Sequence, residues 1–177
     1  MTVKTARAIT IFVAMFFAVL RSQTAGAAPP SSDGHRQPGQ SLAIVVNCSN
    51  PITNLSFSEL RKIFLGERNH WPNGRRIVIA MLDYGPERRT ALRLVYRMDE
   101  DGYQDHSLRG MFRGDAFVAE KTLASPVIMR RFVFNAPGAI GYLRASDVDD
   151  SVKVVRIDGL LPKDKDYRLQ IDEPTVK

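Results

Sequence analysis

Apolar positions along this chain fall into two kinds of run, and their alternation predicts the elements. Leu42-Ala43-Ile44-Val45-Val46 is short, β-branched and closed by Asn47 and Pro51. A run of that length without polar alternation is the pattern of a strand buried on both faces. Similar runs recur later, so the predicted strands are 42–47, 77–82, 139–143 and 152–157. Between them, apolar residues recur at helical spacing. Leu60, Ile63 and Phe64 make one stripe, preceded by Ser56-Phe57-Ser58-Glu59 and stopped by Gly66. The preceding tetrad matches a capping box, in which the serine hydroxyl and the glutamate side chain satisfy each other's backbone amides. Pro86 opens a second helix at its first position, with Leu92, Val95 and Tyr96 as its core face. Asp99 caps a third, which turns Tyr103, Leu108, Met111 and Phe112 inward. Ser125-Pro126 starts a fourth, running through Met129, Phe132 and Val133 to a stop at Asn135-Ala136-Pro137-Gly138. The predicted helices are 57–65, 87–97, 100–112 and 126–134. Strands that alternate with helices imply an α/β fold, a mostly parallel sheet with helices on both faces. The tail from Pro162 is polar and loosely patterned.

The N-terminus follows a different logic. Lys4 and Arg7 precede an almost unbroken apolar run from Ile9 to Leu20, and Ala25-Gly26-Ala27 offers small residues to a peptidase. This is the three-part pattern of a cleavable secretory signal. The run is too short to span a bilayer, which takes about 20 residues, and Arg21 closes it. No later stretch is long enough to span. The expected organisation is a signal peptide at 1–27, a flexible Pro/Ser/Gly leader at 28–41 and one α/β domain at 42–177.

Export changes the charge. The whole chain carries a formal +6, but cleavage after Ala27 removes Lys4, Arg7 and Arg21. The 150 residues left hold 22 basic against 19 acidic side chains, too mild an excess to argue for nucleic acid. Cys48 is the one cysteine, so the fold has no internal disulfide, and it is expected to be a small buried residue.

Catalytic chemistry finds no foothold. The three histidines, His35, His70 and His106, have no second histidine at ligand spacing, and no nucleophile elbow is present. Asp99-Glu100-Asp101-Gly102 lacks the alternation of a calcium loop and suits a helix N-terminus instead. Arg89, Arg93 and Arg97 fall at i, i+4 and i+8, a stripe that is either a solvated face or a contact for an acidic partner. Arg97 is placed to pair with Asp101. No catalytic residue, metal or cofactor is expected.

Several segments together are similar to the phosphate-type periplasmic solute-binding proteins of ABC uptake systems. They are Val46-Asn47 with Asn50-Pro51-Ile52, then Leu55-Ser56 leading into Glu59-Leu60-Arg61-Lys62-Ile63-Phe64-Leu65-Gly66-Glu67. Trp71-Pro72-Asn73-Gly74 and Pro137-Gly138-Ala139-Ile140-Gly141-Tyr142 follow, and Val152-Lys153-Val154 through Ile157-Asp158-Gly159 closes the set. The resemblance implies a type II periplasmic-binding-protein-like fold reduced to a single lobe, and a non-enzymatic protein of the periplasm. It implies a small anion such as phosphate as ligand and an ABC permease or other envelope protein as partner. The family sets its anion at the end of the second strand, against an Arg and a Gly-Ser-Gly-Thr loop. Here that place holds Asp83-Tyr84-Gly85-Pro86-Glu87-Arg88-Arg89-Thr90. Gly85, Arg88, Arg89 and Thr90, with Ser125 at another helix start, are therefore the candidate ligand residues. Pro86 removes an amide donor, while Asp83 and Glu87 repel an anion. An adaptor that meets another envelope protein through the Arg89–Arg93–Arg97 face stays open beside solute binding.

Overall fold

The structure, a computed structural model, describes residues 40–113 and 119–171. The expected signal peptide and almost all of the leader lie outside them, as do the side chains of Met111 and Phe112.

Five strands form the central sheet: β1 (Leu42–Val46), β3 (Val78–Leu82), β4 (Ala119–Leu123), β5 (Ala139–Arg144) and β6 (Lys153–Val154). Their spatial order is β4-β3-β5-β1-β6. β3 pairs in parallel with both β4 and β5, whereas β1 runs antiparallel to both β5 and β6. Four of the five strands thus point one way, and β1 is the reversed one. A second, two-stranded sheet pairs β2 (Asn54–Leu55) with β7 (Arg156–Ile157).

The predicted strand 152–157 is therefore two short strands in different sheets. Val155 still donates its N–H to Ile44 O, and then Arg156 turns away to donate to Thr53 O. β4 escaped prediction because its sequence, Ala-Glu-Lys-Thr-Leu, lies on the sheet edge with Lys121 and Thr122 exposed. An edge strand needs no apolar run.

The helices are α1 (Phe57–Phe64), α2 (Pro86–Ala91), α3 (Glu100–Arg113) and α4 (Pro126–Asn135), each within a residue or so of its expected start. The capping box of α1 is formed: Ser56 Oγ accepts from Glu59 N, and Ser56 N donates to the Glu59 carboxylate. α2 continues as a π-helical turn, Leu92–Tyr96, where an unbroken helix to residue 97 was expected.

The faces of the sheet can be assigned from β5, where successive side chains point to opposite sides. Gly141 faces α4; a Cβ there would lie 2.7 Å from Met129 Sδ. Only glycine lets that helix approach so closely. Tyr142 points the other way, its ring 6.4 Å from that of Phe64 on α1. Helices therefore cover both faces. The core is apolar: Ile44, Val45, Leu60, Ile63, Ile77, Val95, Met129, Val133 and Ile140 are fully buried. Each large aliphatic side chain so placed stabilises the fold by roughly 1.5–3 kcal/mol.

The polar tail contributes more than its pattern suggested. Tyr167 and Leu169 are fully buried, and Tyr167 donates its hydroxyl hydrogen to Leu42 O at 2.9 Å. Two other expectations are corrected. Cys48 is exposed, its Sγ 3.4 Å from Ser151 O, because it sits in the turn after β1 and not in the strand. Leu108 is also exposed, while Tyr103 on the same helix is buried. Among the described residues no helix is long and apolar enough to cross a membrane, and no group of three His, Cys, Asp or Glu could hold a metal.

Candidate functional site

Two connections leave the same end of the sheet. Leu82 of β3 lies opposite Leu123 of β4, and Asp83 N donates to Leu123 O at 3.1 Å. The loop 83–85 leads into α2, and the loop 124–125 leads into α4. Both helices therefore begin beyond the carboxyl ends of neighbouring parallel strands, where open α/β sheets bind their ligands.

The start of α2 is closed by its own charges. Gly85, its N-cap, has φ 105 and ψ 172, a backbone region essentially confined to glycine. A Cβ at Gly85 would lie 3.2 Å from Glu87 Oε2, so the Glu87 carboxylate rests against that turn. Glu87 is buried and accepts from Arg144 Nε at 2.7 Å. A carboxylate in the first turn is favourable there, near the positive end of the helix dipole.

Arg88 is buried too, at 7% exposure. Its guanidinium forks onto Glu100, with Nε 3.0 Å from Oε2 and Nη2 2.6 Å from Oε1, while Nη1 donates to Leu82 O at 2.8 Å. Its plane lies over the Tyr103 ring, 5.0 Å from the centroid. This charge-assisted fork raises the Arg88 pKa and holds the Glu100 carboxyl below the usual carboxylate range. Behind it, the hydroxyls of Tyr96 and Tyr103 donate to Glu120 at 2.9 and 2.5 Å. Burial pushes both phenols well above their ordinary pKa, so they stay protonated as donors.

All five candidate ligand residues thus lie on these two helix starts, but they are used unequally. Arg88 is turned to Glu100 and Leu82. Thr90 is buried. Ser125 Oγ accepts from Ile128 N at 3.3 Å and caps its own helix. Arg89 reaches solvent. Glu100, Arg144 and Tyr103 complete the cluster and were not foreseen. Glu100 stood in the acidic run read as a helix start; Arg144 carried no signal, lying 57 residues from its partner.

A second feature lies on the flank of α2. Arg89, Arg93 and Arg97 border an open depression of about 770 Å³, together with Leu92, Met98, Asp99, Glu100 and Gly102. Arg97 N donates to Leu92 O, five residues back, and Arg97 takes a left-handed backbone (φ 58, ψ 42). The expected Arg97–Asp101 ion pair is not among the described contacts; Arg97 lines the depression instead.

Comparison with known proteins bears on this fold. A PBP superfamily domain profile matches residues 40–173. The phosphate-binding protein PstS of Bacillus subtilis is 29% identical over 125 residues, which are 70% of this chain and 38% of that protein. A Clostridium perfringens protein assigned as a phosphate ABC transporter substrate-binding protein, solved with phosphate bound, superposes with a TM-score of 0.55 at 21% identity. That likeness covers 69% of this chain and 46% of the other. PstS from Borrelia burgdorferi gives a TM-score of 0.50 at 16% identity, over 69% of this chain and 49% of the other. The chain spans less than half the length of each of these proteins. The expected type II fold is matched by these likenesses, and the resemblance to phosphate-type binding proteins by the relatives themselves. On a match from residue 40 to residue 173, the chain belongs to the PBP superfamily.

Proposed function

We propose that this chain is an exported, non-enzymatic, single-lobe relative of phosphate ABC substrate-binding proteins that works by docking on another envelope protein. The observation that carries the reading is the filled carboxyl end of the sheet. The guanidinium best placed to meet an anion, Arg88, is committed to Glu100 and Leu82 O, and the Glu87 carboxylate rests against Gly85. A free anion entering there meets a buried negative charge already paired with Arg144. The N-terminal signal pattern supports the periplasm as the place of action.

A second reading is weak binding of phosphate or a similar anion at Gly85, Arg89, Thr90 and Ser125, with Arg88 released from Glu100. It is favoured by one observation: two helix starts, rich in backbone N–H groups, share this end of the sheet. Titration calorimetry of the mature protein with phosphate and with sulfate at low salt separates the two. The docking reading expects no saturable heat at millimolar anion; a saturable phosphate heat restores the solute-binding reading.

A further inference from the structure

The Arg88 fork has the geometry of an oxyanion receptor that is already occupied from within. Two of its supports are independent of Glu100: Nη1 donates to Leu82 O, at the last residue of β3, and the guanidinium plane rests on the Tyr103 ring. Nε and Nη2 form the remaining edge, and each meets one oxygen of the Glu100 carboxylate. A planar fork of this kind fits two oxygens of a carboxylate or of a phosphate.

The two partners differ in exposure. The Arg88 side chain is 9% exposed and that of Glu100 48%. The receptor is thus part of the packed interior. Its ligand stands on the solvent side, on the first residue of α3 and in the lining of the open depression beside α2. Rotation about its own side-chain bonds carries an exposed carboxylate into water without moving the helix, and buried Tyr103 still anchors α3. The other carboxylates that border this cluster have partners of their own: Glu87 accepts from Arg144, and Glu120 from Tyr96 and Tyr103. Glu100 is therefore the group that a free anion has to displace from the fork. A tethered ligand competes at a high effective concentration. Affinity for the free anion is then lowered by the fraction of molecules in which the fork is open.

We propose that Glu100 is a built-in pseudo-ligand: its carboxylate holds shut an oxyanion site on Arg88, and a free phosphate-type oxyanion enters by taking its place on Nε and Nη2. The proposal rests on the second reading above for the class of ligand, and adds the device that regulates the site.

The test is titration calorimetry with inorganic phosphate at low salt on the mature parent, Glu100→Ala, Glu100→Gln and Glu100→Ala/Arg88→Lys, with melting temperatures to confirm folding. Glu100→Ala should bind phosphate about tenfold or more tightly than the parent, the ratio expected when the fork is closed in roughly nine molecules of ten. Glu100→Gln keeps the shape of the side chain but weakens the acceptor. It should fall between the two, and it carries the test if the alanine variant does not fold. Glu100→Ala/Arg88→Lys keeps the positive charge without the fork and should lose the gain. Folded Glu100 variants that bind phosphate no more tightly than the parent overturn the proposal, and so does a gain that survives Arg88→Lys. Equal, saturable phosphate heats in parent and variants keep the anion reading and overturn the device. A parent silent at millimolar phosphate, with an Arg88-dependent gain in the variants, removes solute binding by the native chain and supports the device as the cause.

Discussion

The starts of α2 and α4 occupy equivalent places, each just beyond the carboxyl end of a strand in the same parallel pair, and they are finished in opposite ways. At α2 the first turn holds Glu87 and Arg88, both buried and both in ion pairs. At α4 the first turn is uncharged: Ser125 caps it, and Val127 and Ile128 are exposed. Tyr84, in the loop before α2, is 70% exposed. The same place at the sheet's end is occupied by internal ion pairs at one helix and is uncharged at the other. Position at a strand's end therefore does not make a binding site; what the side chains there already hold does.

The largest expected effect comes from Arg88→Ala. It removes two bonds to Glu100 and strands Leu82 O in a buried place, and lost charge-assisted bonds are worth about 1.5–3 kcal/mol each. Urea unfolding should show a loss of about 3 kcal/mol, with no change in phosphate response. A stable Arg88→Ala protein with weakened anion binding would reverse the contrast between the two helices.

Glu87→Gln comes next. It weakens the Arg144 pair, for a stability loss of about 1–2 kcal/mol. It also removes the negative charge beside Gly85. If that charge is what bars anions, calorimetry should detect phosphate in the variant and not in the parent. A parent and variant equally silent to phosphate would mean that the Glu87 carboxylate is not what bars the anion.

Ser125→Ala should cost about 1 kcal/mol, the ordinary value of a lost N-cap, again by urea unfolding and with no effect on anions.

The smallest effect is on pH dependence. Hydrogen bonding to Arg88 holds the folded-state pKa of Glu100 below its unfolded value. Its contribution is thus fully present above the unfolded glutamate pKa, about 4.3, and is lost as pH falls through the lower folded value. Urea midpoints measured from pH 6 down to about pH 3 should fall more steeply for the parent than for Glu100→Gln. Parallel curves would show that the fork does not persist in solution.

What could be read in the sequence follows burial on both faces. β1, β3 and β5 are continuous apolar runs because helices cover each side of them, and α1 declares itself by its capping box. β4 was hidden because an edge strand with exposed Lys121 and Thr122 carries no apolar run. The reversal of β1 was hidden because an apolar run says nothing of direction. At the site, Gly85, Pro86 and Ser125 were legible through local backbone chemistry. The pairing of Arg88 with Glu100 and of Glu87 with Arg144 was not, since a choice among many charges is made by the tertiary fold. The π-helical turn before Arg97 likewise leaves no mark in residue spacing.

β1 also bears on the timing of folding. It lies between β5 and β6, roughly a hundred residues later in the chain, and its first residue accepts and donates to the segment around Tyr167 and Leu169. β3, α2, β4, α4 and β5 can assemble in order from neighbours, but β1 finds its partners only once β5 and β6 are present. Folds dominated by such distant contacts form slowly, because the loop must close before the contact rewards it. The sheet cannot close around β1 before those distant partners are available, so the pairing of β1 is the slow step this topology imposes on folding.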